Sequence, residues 1–179
     1  MNDALVHRGP DEEGVYQDDT APLALGSRRL KIIDMSAGRM PYESPCGRYA
    51  MIFNGEIYNY RDLKSQCDTY AFSSETDGEV FFAWLQLKGK AGVKEANGMF
   101  SFAFWDAQEQ VLLMGRDRLG IKPLFYAWDG ESCFVSSEMR GLRALPELNT
   151  MHESQLNHKA MEHYFSLLCV PEPHSIDTR

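Results

Sequence analysis

Within Phe53-Asn54-Gly55-Glu56-Ile57-Tyr58-Asn59, a polar triplet at the mouth of an apolar run brings together three chemical capacities. The Asn54 amide can donate to a developing oxyanion, Gly55 lets a backbone N–H approach the same point, and Glu56 offers an acceptor for an amine. The same letters also spell a tight turn, the commoner use of Asn-Gly. Arg28-Arg29-Leu30 places two cations in an otherwise apolar stretch. A guanidinium held there suits bidentate recognition of a carboxylate, and a surface strand with solvated charges is the alternative. Asp77 is a further anion, or an acid favoured by the dipole of a helix start. Together, one cation, one anion and an amide-polarising pair can hold an α-amino acid zwitterion and attack its side-chain amide.

The elements that must position these residues follow from pattern. Pro22–Asp34 reads as an extended, half-buried stretch, and Tyr49–Phe53 as a strand that stops at an Asn54-Gly55 turn. Ile57, Tyr58, Tyr60 and Leu63 recur at helical spacing. Thr76-Asp77-Gly78-Glu79 has capping-box form before Val80, Phe81, Ala83, Trp84 and Leu87, so two amphipathic helices are expected. From Met99 the period becomes two: Phe100, Phe102 and Phe104 share one face, and Ser101, Ala103 and Trp105 the other. Hairpins are predicted from there into Val111–Arg116, and between Leu124–Trp128 and Cys133–Ser137 around Asp129-Gly130. Strands in runs with helices grouped between them indicate an α+β domain, and apolar residues on both strand faces indicate a layered αββα sandwich of two mainly antiparallel sheets. Residues 146–159 read as a linker, and Ala160–Cys169 as a helix ending before Pro171.

Composition excludes several classes. The 179 residues carry 18 Lys+Arg against 26 Asp+Glu, a formal charge of −8, which disfavours a nucleic-acid-binding surface. Cys46, Cys67, Cys133 and Cys169 form no C-x-x-C pair, so a zinc ribbon or disulfide scaffold does not fit, and scattered thiols suit a reducing cytoplasm. The apolar stretches are too short to span a bilayer, and the opening residues have no h-region of a secretory signal. The five histidines have no metal-ligand spacing. Arg116–Pro123 reads as a structural ion-pair loop, and Gly9–Glu13 as a solvated acidic turn.

His7–Asp11, Arg29–Asp34, Phe53–Asn59, Thr76-Asp77, Gly98-Met99-Phe100 through Asp106, Arg116–Leu124 and Ser137-Glu138 resemble, in order, the glutaminase domain of glutamine-dependent asparagine synthetases. The resemblance covers most of residues 3–145 and implies a class II glutamine amidotransferase with the N-terminal-nucleophile hydrolase fold. In that family an N-terminal cysteine attacks the amide of glutamine, its own α-amine acting as base, and water hydrolyses the thioester to glutamate as ammonia departs. The resemblance implies that Arg29 binds the α-carboxylate of L-glutamine near the backbone of Ile32 and Ile33. Glu56 and Asp77 would bind the α-ammonium, and Asn54 with the Gly55 N–H would form the oxyanion hole. It further implies a synthetase domain that uses ATP and Mg²⁺ to activate aspartate and receives ammonia through a tunnel, and a homodimer by analogy.

Two departures qualify these expectations. No residue here matches the N-terminal cysteine, since Met1 aligns inside the segment that follows it, and the S-G-G-x-D-S loop of the synthetase domain is absent. The organisation expected is a 1–145 amidotransferase domain shortened at its start, a 146–159 linker, and a 160–179 entry to the synthetase domain, with no metal site and no turnover by this stretch alone. Two alternatives remain: a nucleophile-less glutamine-binding or regulatory module, and an amidotransferase of another acceptor, such as those making glucosamine phosphate or phosphoribosylamine.

Overall fold

The structure, a computed structural model, describes residues 1–30, 39–149, 155–171, 174 and 177–178. These form two compact units, Met1–Leu142 and Arg143–Arg179.

The first unit is built on a four-stranded antiparallel sheet in the order β3 (Tyr42–Glu43), β4 (Tyr49–Ile57), β5 (Gly98–Asp106) and β6 (Val111–Arg116). Its period-two pattern sorts side chains as expected. Met51, Phe53, Ile57, Phe100, Phe102 and Phe104 face one core, and Ala50, Ala103 and Trp105 face a second on the opposite side. Over the first face lie α1 (Tyr60–Lys64) and α2 (Asp77–Lys88). Phe81 of α2 meets Phe102 edge-on at 5.2 Å and Phe100 at 5.3 Å, geometries that add to simple burial. Over the second face lies the ribbon of β1 (Glu12–Gln17) and β2 (Ala24–Arg29), with Leu25 and Tyr16 packed on Ala50, Ala103 and Trp105. The Trp105 indole N–H donates to Asp18 at 2.8 Å, fastening that ribbon's turn to the sheet. A 3-10 helix, Asn2–Arg8, packs outside β2, where Arg28 Nε donates to Asn2 O at 3.3 Å. Helices, sheet, ribbon and outer helix give the αββα layering of an α+β fold. A separate ribbon, β7 (Phe125–Trp128) with β8 (Cys133–Ser136), turns at Asp129-Gly130 and is followed by α3 (Met139–Arg143).

Three local expectations are corrected. The strand does not stop at Asn54-Gly55: β4 runs through to Ile57, with Asn54 opposite Ser101 and Glu56 opposite Met99. The Ile57-to-Leu63 spacing yields only the short α1, because Ile57 stays in the ladder opposite Gly98 and the Tyr58 N–H donates to Asn97 O at 2.8 Å. Nor is α2 amphipathic, since Gly78 through Leu85 are all buried. Tyr70, Phe72 and Val93 cover its outer side, and the Trp84 indole N–H donates to Gly92 O at 3.1 Å.

In the second unit, α4 (Pro146–Asn149) is a single turn begun by proline within the expected linker, and a two-residue pair joins β9 (Gln155–Leu156) to β10 (Asp177–Thr178). The final helix, α5 (His158–Leu167), is capped by Asn157, whose Oδ1 accepts from the Ala160 N–H at 3.2 Å.

Candidate active site

Asn54, Gly55 and Glu56 lie near the end of β4. Gly55 is required there: its φ is +154°, and a Cβ would sit 2.1 Å from Met99 O and 2.6 Å from Phe100 Cα. By strand alternation Asn54 shares the face of Ala50 and Ile52 and stands opposite the buried Ser101, which in turn faces Arg116. The Asn54 Nδ2 is buried and has no hydrogen-bond partner. An unmatched buried donor costs about 1–3 kcal/mol, so the fold holds a poised N–H₂ at a stability cost. Glu56 is exposed.

Asp77 is the first residue of α2. Thr76 caps the helix, its Oγ1 accepting from the Glu79 N–H at 3.4 Å. Only half of the expected capping box forms. Instead of returning to Thr76, the Glu79 carboxylate accepts from the N–H groups of Ser73 (2.7 Å) and Ser74 (2.6 Å) and from both their hydroxyls. Asp77 Oδ2 accepts from the Ile57 N–H at 2.7 Å, which brings the start of α2 against β4 one residue beyond Glu56. Burial pushes the Asp77 carboxyl above its usual pKa, and the Glu56 charge adds to the rise; the N–H groups of Ile57 and Gly78 oppose it.

The two arginines separate in role. Arg28 is engaged by Asp3 at 2.9 Å and Glu13 at 3.1 Å. Arg29 ends β2 opposite Glu12, its Nη1 3.9 Å from Glu12 Oε2. Behind it Gly9 packs so closely that a Cβ would lie 2.3 Å from Arg29 N, and the Asp11 N–H donates to Arg29 O at 3.2 Å. Gly9–Glu13 is therefore no free turn: its end enters β1 and its start buttresses Arg29. Burial holds the Tyr42 phenol above its usual pKa, the Asp77 charge adding to the rise and the Arg29 charge opposing it. Asp77 is thus tied to β4 at the residue that follows Glu56, whose charge acts on it. Ile32 and Ile33 lie outside the described residues. Nothing in the sequence singles out Tyr42, because a two-residue strand has no periodicity to read.

The Arg116–Pro123 loop is fastened largely through backbone groups. The Asp117 carboxylate accepts from the N–H groups of Phe100 (3.2 Å), Leu119, Ile121 and Lys122 (each 3.0 Å). Burial opposes its ionisation, yet these four donors prevail and hold its pKa at about 2. Arg118 donates to the Lys94 and Ala96 carbonyls. Alternation of charges along a loop does not reveal that the backbone supplies the partners. The four thiols are free. Cys67 is buried, and burial raises its pKa; a Ser44 hydrogen bond lowers that of the exposed Cys46. Among the described residues there is no cluster of three metal-ligating side chains, and no helix is long and apolar enough to cross a membrane.

Comparison with known proteins identifies the family. The family model of the glutamine amidotransferase domain matches residues 1–179. A putative glutamine-hydrolyzing asparagine synthetase 2 of Methanocaldococcus jannaschii is 37% identical over 98% of this chain and 37% of its own length. Glutamine-hydrolyzing asparagine synthetase 1 of Bacillus subtilis is 35% identical over 99% and 27%. Glutamine-hydrolyzing asparagine synthetase B of Escherichia coli is 40% identical over 83% and 26%. The chain thus spans between about a quarter and two-fifths of the length of these relatives. Among solved structures, glutamine phosphoribosylpyrophosphate amidotransferase of Bacillus subtilis, complexed with ADP and GMP, is similar in fold, with a TM-score of 0.54 at 20% identity over 67% of this chain and 28% of that one. A family match along its full length, with relatives 35–40% identical over most of it, means that the chain belongs to the glutamine amidotransferase domain family.

Proposed function

We propose that this chain is the glutamine-binding, ammonia-generating part of an ATP-dependent asparagine synthetase. The observation that carries the reading is the buried, unpartnered Asn54 Nδ2 on a strand whose Gly55 permits close backbone approach. In this reading Arg29 holds the α-carboxylate of L-glutamine, with the backbone of Ile32 and Ile33 beside it, and Glu56 with Asp77 holds the α-ammonium. That fixes the side-chain amide against Asn54 Nδ2 and the Gly55 N–H. These donors stabilise the oxyanion formed when a thiolate attacks the amide carbon; ammonia leaves and water releases glutamate.

The thiolate is not drawn from Cys46, Cys67, Cys133 or Cys169, none of which joins a thiol to a free α-amine. The 179-residue chain therefore binds glutamine without turning it over. ATP and Mg²⁺ serve the synthetase part of the protein, and the setting is cytoplasmic. Calorimetry with L-glutamine and an assay for glutamate release test this directly. Saturable binding without glutamate is expected. A folded chain that ignores glutamine overturns the reading, and steady glutamate release overturns the assignment of the nucleophile.

A second reading is a nucleophile-less glutamine-binding or regulatory module that uses the same glutamine contacts without hydrolysis. It is distinguished by whether the full-length protein makes asparagine.

A further inference from the structure

On the second face of the sheet, residues directly opposite one another on β4, β5 and β6 form rows. Ala50–Trp105–Leu112 and Ile52–Ala103–Met114 are apolar and pack with the β1–β2 ribbon. The next row, Asn54–Ser101–Arg116, is polar throughout. Ser101 is 3% exposed and lies between Phe100 and Phe102, whose rings enter the opposite core. Among the described residues its hydroxyl takes part in no hydrogen bond, and Asn54 Nδ2, on the residue directly opposite, is also buried without a partner. Arg116 directs its guanidinium elsewhere, against Gly120, where a Cβ would overlap Nη2. A hydroxyl withdrawn from water without a partner is unfavourable, and alanine would fill the same place without that penalty. Cβ atoms of directly opposed residues stand about 5 Å apart, so an amide and a hydroxyl that do not bond each other can converge on one atom between them. Nδ2 only donates, so that atom is an acceptor; a carbonyl oxygen, with two lone pairs, accepts from both.

We propose that Ser101 is a specificity-determining residue of the glutamine site: its hydroxyl donates, alongside Asn54 Nδ2, to the carbonyl oxygen of the glutamine side chain, and so selects an amino acid that carries a carbonyl there. The inference rests on the functional reading above and adds to the Asn54 and Gly55 pair a third donor, borne on a different strand. The two strands are paired from Tyr49 opposite Asp106 to Ile57 opposite Gly98, so the donors keep a fixed separation. One residue from Ser101, Phe100 is held on the other side, its N–H donating to the Asp117 carboxylate at 3.2 Å and its carbonyl accepting the Asp117 N–H at 2.7 Å. Donors fixed in advance need no rearrangement when the oxygen arrives. The hydroxyl keeps its proton throughout.

The test uses the full 179-residue chain, calorimetry, and two ligands: L-glutamine and L-norvaline, which has the same α-amino acid end and a methyl group in place of the amide. L-Norvaline is titrated directly and in competition with glutamine. Ser101→Ala should weaken glutamine binding about fivefold, the net worth of one hydrogen bond, and leave the weaker binding of L-norvaline within about twofold. The thermal midpoint should hold or rise, because the variant removes a buried hydroxyl that has no partner. Ser101→Cys, close in volume and a weaker donor, carries the same test should alanine leave the chain unfolded, and should show a selective loss of the same sign. Unchanged glutamine affinity in the folded variant overturns the proposal, as does an equal loss for both ligands, the mark of a serine that serves packing alone. If the unaltered, folded chain binds no glutamine, the functional reading itself fails and this inference goes with it.

Discussion

Asp77 Oδ2 accepts the Ile57 N–H at 2.7 Å, so the first carboxylate of α2 is tied to the strand residue that directly follows Glu56. Two carboxylates are thereby held near one another with only one of them exposed.

The raised pKa of Asp77 has a definite sign in folding. The unfolded side chain titrates near 3.8, and the native one above it. From 3.8 up through that raised value the native state binds more protons, so this group's contribution to stability falls as pH rises through the window. Asp77→Asn, which keeps an oxygen for the Ile57 N–H, should remove that slope in urea titrations followed across pH. Glutamine affinity should run the opposite way, weakening in the unaltered chain as acidification protonates Asp77, and staying at least about tenfold weaker and less pH-dependent in Asp77→Asn.

Asn54→Ala should separate stability from function. Because Nδ2 is buried without a partner, deleting it should leave unfolding free energy within about 0.5 kcal/mol or increase it. In the full-length enzyme proposed above, the glutaminase rate should drop about 10²–10³-fold with a smaller change in KM. A large destabilisation measured by chemical denaturation would mean that Nδ2 has a structural partner after all.

Asp117→Ala removes the acceptor for four backbone N–H groups and should cost on the order of 3 kcal/mol at neutral pH. For the native carboxylate, held at about 2 against 3.8 when unfolded, the stabilisation is complete above 3.8 and is lost as pH falls from there toward 2. The gap between variant and parent should narrow across that interval when denaturation is repeated in acid.

Gly55→Ala should be among the most damaging substitutions in the chain. The added carbon meets the backbone of Met99 and Phe100, which cannot rotate aside, at a φ of +154°. We expect a loss of more than about 3 kcal/mol, read as an insoluble or molten product by near-ultraviolet circular dichroism.

The sheet was legible because its period-two pattern is strong: Phe100, Phe102 and Phe104 fall on one face and Ala103 and Trp105 on the other. The stop at Asn54-Gly55 was misread because Asn-Gly commonly makes a turn. What decides here is the β5 backbone pressed against Gly55, a nonlocal contact. Burial on all sides of α2 escaped for a related reason, since the segments that cover it are remote and irregular. Glu79 kept its capping-box position but took Ser73 and Ser74 as partners, a choice between acceptor geometries that spacing alone does not rank. Arg29, Glu56 and Asp77 were legible as charges, whereas the tie from the Ile57 N–H to Asp77 becomes visible only once β4 and α2 are in place.

The Glu79 carboxylate has a consequence for motion. By clasping two amides and two hydroxyls of the segment before the helix, it joins the loop to the first turn as one mechanical node, to which Asp77 adds the Ile57 amide. End fraying, the cheapest opening of most helices, is denied to α2 on this side. The amides of Ser73, Ser74 and Ile57 should therefore exchange with solvent deuterium slowly and in concert, on the clock of the sheet rather than of a loop.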